Sequence, residues 1–380
     1  MINSTPIIYH ISTFPPSLCG LATYANDLSN ALSKFHCQIK RIQLIYPEQS
    51  IPKNQSTELI SYVDYSTFIA LAKEINLTEN SVVLIEHEFK IFGGPGGDII
   101  MYFLQNINVP SIATLHTVNK NLDKDRLRVF SFLCKKLDYS IVFCSSAADI
   151  LSTQYQVDKS KIHITRHGVR LNSLISNQKP LLRNKYPDDF LIMTPGFIRP
   201  TKGYDIVLKA LAYLNPSVKF KYLIIGEKHP RDRNASEYYD SLMLMVDRLK
   251  LEDRVVFFNE YLNDNKYMQV LSEANLGILA YQRFEQSSSG VLSQFRALNI
   301  PVIATGFLQA QEMSGNDSGV KIFNGTPESL RYSIDKFISV DGYPSHIHKS
   351  DQNNIFSWDV IAKDYYAIIR NLLSMNAMHE

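Results

Sequence analysis

The sequence predicts an α/β protein of two doubly wound domains, each a parallel sheet covered by helices on both faces. Three observations predict it. Strand-like and helix-like segments alternate along all 380 residues. The strands are mostly unbroken apolar runs, such as VVLI and SIVF, as a sheet buried on both faces requires. A polar stretch with two prolines, LNSLISNQKPLLRNKYPDD, separates two halves with the same grammar.

In the first half strands are expected at Ile7–Ser12, Gln38–Ile45, Val82–Glu86, Ser111–Leu115, Ser140–Cys144 and Lys161–Thr165. The clearest helices begin near Ala22, Asp98, Asp123 and Ala147. The second half restarts at Phe190–Thr194 and continues with Tyr222–Ile225, Val255–Phe258, Leu276–Leu279, Val302–Ala304 and Val320–Ile322. Its helices are expected near Tyr204–Leu214, Glu237–Leu249, Lys266–Glu273 and Pro327–Ile338. After a loop-like run at Asp341–Asn354, helical periodicity returns over Trp358–Leu373. The domains are drawn at 1–172 and 190–356, with a linker at 173–189 and a final helical segment at 357–380. Ligands are expected at strand C-terminal ends, facing the cleft between the domains.

Bulk composition narrows the function classes. Hydrophobic residues at 45% and charged residues at 20% describe a folded globular chain. A formal charge of +2, with no basic block interleaved with aromatics, gives no reason to expect a nucleic-acid partner. The four cysteines form no CxxC pair and no metal-ligand spacing, which fits buried thiols in a reducing compartment. The start, MINSTPIIYHISTFPP, lacks a basic head and an unbroken apolar run, so no signal peptide is expected. A cytoplasmic location is expected, with peripheral contact at the inner face of the membrane as an open alternative.

The most informative stretch is LGILAYQRFEQSSSGVLSQFRALNIPVIAT, from Leu276 to Thr305. It reads as strand, Ser/Gly loop, helix and strand. Ser287, Ser288, Ser289 and Gly290 put small residues where the helix begins, and unpaired N–H groups there form a seat for phosphate. Glu285 and Gln286 stand at its mouth. A second such place follows the strand of PIIYHIST, where Gly20, Leu21 and Ala22 lead into a helix. Neither GxGxxG nor GxxxxGK[ST] occurs, which argues against hydride-transfer and P-loop chemistry. In GFIRPTKGYDIVLKAL, Arg199 and Lys202 lie in a turn before a helix, flanked by Gly196 and Gly203. Two fixed cations there suit a diphosphate leaving group, whose charge grows as its bond breaks. Each of these places also reads as an ordinary turn when taken alone.

His116 ends the strand of SIATLHT, and His167 in TRHGV closes the first half. His87 in IEHEF lacks the second histidine of HExxH, which removes a zinc-protease reading. Glu86 and Glu88 are taken to face opposite ways on their strand, which argues against the paired acids of a glycosidase. The GGPGG run at Gly93–Gly97 reads as a turn.

Together, the glycine turn after the first strand, GFIRPTKG, HGV and FEQSSSG…ALNIPVIAT resemble the retaining GT-B glycosyltransferases of family 4 (glycosyltransferase group 1). HEFKIFGG, TLHTV, the GEKHP turn, NEYL and FSWDVIAKDYYAII extend the likeness over nearly the whole chain. The resemblance implies two Rossmann-like domains, a nucleotide-sugar held mainly by the second, and a last helix crossing back to the first. It implies that Arg199 and Lys202 neutralise the diphosphate, and that Ser289, Gly290, Val291 and Gly20 offer it backbone amides. Leu21 falls beside that glycine. His116 would lie beside the transferred sugar, Tyr261 and Leu262 near the base, and His87 and Glu88 on the acceptor side. Many members carry two glutamates in the last block, facing sugar and ribose. Here those places hold Gln286 and Gln294, with Glu285 one step earlier.

The activity implied is transfer of a hexosyl unit from a nucleotide-diphosphate sugar to a saccharide or lipid-linked saccharide, with retention. No metal or other cofactor and no side-chain nucleophile is expected. The competing readings are a sugar-nucleotide-binding protein with reduced catalysis, motivated by the two glutamines, and an epimerase of the same fold. The stretch Asp123–Leu137 sets Leu127, Phe130, Leu133 and Leu137 near one face, with Arg126, Arg128, Lys135 and Lys136 elsewhere. It reads either as a core helix with a solvated side or as a surface for anionic lipid.

Overall fold

A computed structural model describes residues 5–17, 19–45, 58–61, 64–170, 179–228, 232, 234–258, 262–315, 319–340 and 355–376. Two compact units emerge: Met1–Arg170 with Glu285–Ser288 and Ile355–Glu380, and Leu171–Phe284 with Ser289–Asn354. Residues 171–178, which include the first part of the expected linker, and the run 341–354 lie outside the described residues.

The first unit contains β1 (Ile7–Ser12), α1 (Gly20–Leu32), β2 (Gln38–Ile45), β3 (Glu58–Ser61), α2 (Tyr65–Ile75), β4 (Ser81–His87) and α3 (Ile99–Asn106). It continues with β5 (Ser111–Leu115), α4 (Lys124–Lys136), β6 (Tyr139–Val142), α5 (Ser145–Gln154) and β7 (Ile162–Ile164). The second unit runs through β8 (Phe190–Pro195), α6 (Tyr204–Ala212), β9 (Phe220–Ile225), α7 (Ala235–Arg248), β10 (Val255–Phe258) and α8 (Asp264–Ser272). Then come β11 (Leu276–Leu279), α9 (Gly290–Ala297), β12 (Val302–Thr305), α10 (Leu308–Met313), β13 (Val320–Phe323) and α11 (Pro327–Val340). The last helix, α12 (Trp358–Asn376), groups with the first unit.

Both sheets are parallel, in the orders β3-β2-β1-β4-β5-β6-β7 and β10-β9-β8-β11-β12-β13. Strand order reverses between β1 and β4 in one, and between β8 and β11 in the other. At such a switch point the loops leave the sheet in opposite directions and open a crevice at the strand C-terminal ends. Each unit therefore carries one natural ligand position.

The apolar runs behave as their composition requires. Val82, Val83, Leu84 and Ile85 on β4 are all 0% exposed, so both faces of that strand are covered. Helix α12 packs Ile361, Tyr365, Ile369 and Leu373 against α1 and the central strands, beside Leu28, Ile8, Val82 and Leu84. Each such apolar side chain contributes about 1.5–3 kcal/mol on burial, which holds the helix in place. No described helix is long and apolar enough to cross a membrane.

Three elements escaped the sequence reading: β3, α2 and α10. Strand β3 is a four-residue edge and α10 a six-residue helix, both too short for periodicity to register. Helix α2 was legible. Asp64 caps it by accepting from the Ser66 amide, and Phe68, Leu71, Ala72 and Ile75 form its buried stripe. Residues 179–189 belong to the second unit, where the Glu273 carboxylate accepts from the amides of Leu181, Leu182 and Arg183.

Candidate active site

In the first unit the chemistry gathers at the β1/β4 switch point. Glu86, at 0% exposure, lies near the end of β4. An ionised carboxylate only accepts, so its partners must donate. His116 Nε2 donates to Glu86 Oε2 at 2.7 Å, and His10 Nε2 donates to Oε1 at 3.0 Å. Thr114 Oγ1, the neighbour of Glu86 in the β4–β5 register, donates to Oε1 at 3.4 Å. Burial alone would push the Glu86 carboxyl up; the hydrogen bonds and charges of His10 and His116 outweigh it and bring it down to about 2.

Proton counting orders the rest of this network. The Thr114 hydrogen points to Glu86, so the Tyr365 hydroxyl donates to Thr114 at 2.8 Å, and Tyr24 donates to Tyr365 at 3.0 Å. On the other side, Ser29 Oγ lies 2.8 Å from His10 Nδ1. Tyr24 also lies edge-on to His116, with centroids 4.8 Å apart. Gly20 and Leu21 open the same helix one turn earlier. Gly20 is exposed with open space around it, and Leu21 is half-buried.

His116 is brought beside His87 and Glu88: its amide donates to the His87 carbonyl at 3.1 Å. The His87 imidazole itself is buried among Phe89, Phe92 and Phe130, with neither nitrogen hydrogen-bonded among the described residues. Burial, then the charge of His116, holds it down to about 3. So placed, the imidazole expected on the acceptor side is sealed from solvent. Glu88 is half-buried and accepts from Thr117 Oγ1. The expectation that Glu86 and Glu88 face apart also needs correcting, because residues two apart on a strand share a face. They differ because β4 ends at His87 and only Glu86 is sealed in. His167 packs on Tyr24 and Phe143 and donates from Nδ1 to the Gly168 carbonyl at 2.9 Å. Burial brings it down to about 4. The GGPGG run is a turn, with Gly96 at φ 67° tight against the backbone of α4.

In the second unit the β8/β11 switch point holds the cations. Arg199 and Lys202 sit in one short turn between β8 and α6. Gly203 ends that turn at φ 67°, and a Cβ there would run into the Ala280 carbonyl oxygen. Only glycine fits. Lys202 Nζ lies over the Tyr281 ring, 3.7 Å from its centroid, and the Tyr281 hydroxyl lies 3.4 Å from Ser289 Oγ. Tyr281 thus joins the cationic turn to the start of α9. Arg199 keeps a buried Nε with no hydrogen-bond partner among the described residues. Burial first, then the charge of Arg283, lowers its guanidinium.

Helix α9 starts as expected, with Ser289 as cap: its Oγ accepts from the Leu292 amide at 3.2 Å. The Ser289 amide, however, donates to Gln309 Oε1, which withdraws it from the expected diphosphate donors. Among the described residues, Gly290 and Val291 are the amides left without a hydrogen bond at that helix end. Gln294 Oε1 accepts from Tyr267 at 3.0 Å, leaving its amide hydrogens to donate. Leu262 is buried just before the Asn263 cap of α8, and Tyr261 lies outside the described residues. Glu285 is exposed, and Gln286 Nε2 donates to the Ser288 carbonyl at 2.8 Å. Sequence reasoning missed Glu86's network, Tyr281, Tyr267 and Gln309. Of these, only Tyr281, two residues beyond the end of β11, carried a readable signal.

Comparison with known proteins bears on both fold and activity. HepE from Anabaena, solved with UDP and glucose, superposes with a TM-score of 0.68 at 14% identity, covering 99% of this chain and 100% of that one. Sucrose-phosphate synthase from Thermosynechococcus elongatus gives 0.76 at 17% identity, covering 97% and 100%. A glycosyltransferase from Rickettsia africae gives 0.70 at 16% identity, covering 97% and 99%. The fold is GT-B. Residues 180–353 match the family model "Glycosyl transferases group 1", which supports sugar transfer for a chain of this fold. No curated protein matches the sequence.

Proposed function

We propose that this protein is a retaining glycosyltransferase of family 4 type. It moves a hexosyl unit from a nucleotide-diphosphate sugar to a saccharide or lipid-linked saccharide acceptor, in glycan or cell-surface polysaccharide synthesis. The observation that carries this reading is the unpartnered, buried Arg199 Nε beside Lys202 at the β8/β11 switch point. A diphosphate supplies the missing acceptor, and the open amides of Gly290 and Val291 add donors to it. The match of residues 180–353 and the UDP and glucose bound by HepE support a nucleotide-sugar donor.

In this mechanism Arg199 and Lys202 take the place of a metal ion, stabilising charge on the departing diphosphate. His116 meets the transferred sugar, Glu285 and Gln286 take the places facing it, and Gln294 meets the ribose. The departing phosphate oxygen accepts the acceptor's proton, so no side chain becomes glycosylated. Glu88 is the acceptor-side residue. Leu127 on α4, 42% exposed beside Arg126 and Arg128, is an apolar contact suited to the inner face of a membrane.

The test is thermal denaturation with UDP, GDP, ADP and their sugars in the presence of a chelator, followed by transfer assays. Binding of one nucleotide should raise the melting temperature by mass action, and the glycoside formed should keep the donor's anomeric configuration. Inversion, a trapped glycosyl–carboxylate adduct or a strict need for magnesium would each overturn the mechanism.

A further inference from the structure

We propose that Glu86 is a positioning residue for His116, fixing which ring nitrogen the imidazole presents to the sugar. This rests on the transfer reading above for its purpose, though not for its geometry. His116 Nε2 is committed to Glu86 Oε2 at 2.7 Å. Its Nδ1 has no hydrogen-bond partner among the described residues, and the side chain keeps 12% exposure. The imidazole is gripped on one edge by a carboxylate and on one face by Tyr24, at 4.8 Å. Nδ1 is the edge that remains.

The grip is itself braced. Glu86 Oε1 takes hydrogens from His10 and Thr114, and Thr114 takes one from Tyr365. With these oriented donors filled, the carboxylate cannot turn without breaking several bonds at once, each costly in a site sealed from water. The bond made by one ring nitrogen sets the tautomer at the other. Whenever the His116 ring carries a single proton, an ionised Glu86 holds that proton on Nε2 and leaves Nδ1 as an acceptor for a sugar hydroxyl. The anion behind the ring also favours positive charge developing at the anomeric carbon.

Long-range proton–nitrogen spectra of the full-length, histidine-labelled protein at pH 8 read this directly. The His116 resonances are those lost in H116Q. They should show a protonated Nε2 and a bare Nδ1; the opposite tautomer would refute the proposal without any Glu86 variant. In Glu86→Gln, one oxygen and one NH₂ group cannot accept from both histidines, so His10 or His116 must change tautomer. Turnover in that variant should fall on the order of 10–100-fold, with the donor KM within about twofold, as for loss of orientation rather than binding. Unchanged kcat in folded E86Q would overturn the proposal. Should E86Q fail to fold, Thr114→Val, which removes one brace, should broaden or mix the His116 tautomer signals, and unchanged signals would count against the proposal. Absence of turnover by the wild-type chain with every nucleotide sugar would remove the transfer reading while leaving the tautomer result intact.

Discussion

The two units hold their chemistry by opposite means. Among the described residues every histidine lies in the first unit, and His10, His87, His116 and His167 gather near the buried Glu86. The second unit offers Arg199, Lys202, buried tyrosines and open amides instead. The first unit works instead through the direction of individual hydrogen bonds. One side is suited to gripping a permanently charged group, the other to discriminating among neutral hydroxyls.

Acid should expose the contrast most strongly. His87 and His167, near 3 and 4 in the fold, have an ordinary value of 6.5. Below about 6.5 the unfolded chain binds protons that the folded unit refuses. Stability is therefore full above that value and is lost as pH falls, by up to about 1.4 kcal/mol per pH unit for each histidine. Glu86 adds the same sign between its ordinary 4.5 and about 2. Peptide-resolved proteolysis at pH 7 and 4.5 should find the first unit opening before the second, and His87→Leu should lessen the difference. Equal opening of both units would break the comparison.

On the other side, Lys202→Ala should lower transfer by about 10²–10³-fold, the scale for losing one transition-state charge contact, with an unchanged melting temperature. Near-normal turnover would remove Lys202 from the diphosphate grip. Tyr281→Leu strips away the ring beneath Lys202 and should lower kcat/KM about tenfold. Tyr281→Phe keeps the ring and should stay within about threefold, because only the long contact to Ser289 is lost. Equal losses in both variants would show that the hydroxyl, not the ring, matters. A comparably small effect is expected for Gln294→Glu, on the order of threefold in donor KM, measured by initial rates.

The second unit was the more legible in sequence. GFIRPTKG and the Ser289–Gly290 start of α9 each lie in one contiguous stretch, and local rules for helix ends suffice to read them. The Ser289 amide escaped those rules because its partner, Gln309, comes from a six-residue helix with no periodicity of its own. The first unit hid its network because the members stand at 10, 24, 86, 114, 116 and 365. Only the strand order β1-β4-β5, with Glu86 opposite Thr114, assembles them. Apolar periodicity announces that a strand exists and is silent about its neighbours.

Tyr24 and its partner Tyr365 are 341 positions apart. On the ribosome, every described strand of the second unit is made before Tyr365 emerges. Throughout that interval Thr114 lacks its donor and the α1 face meant for α12 stays bare. The half that is translated first is thus the half that matures last, and nascent chains halted near residue 350 should bind holdase chaperones through it.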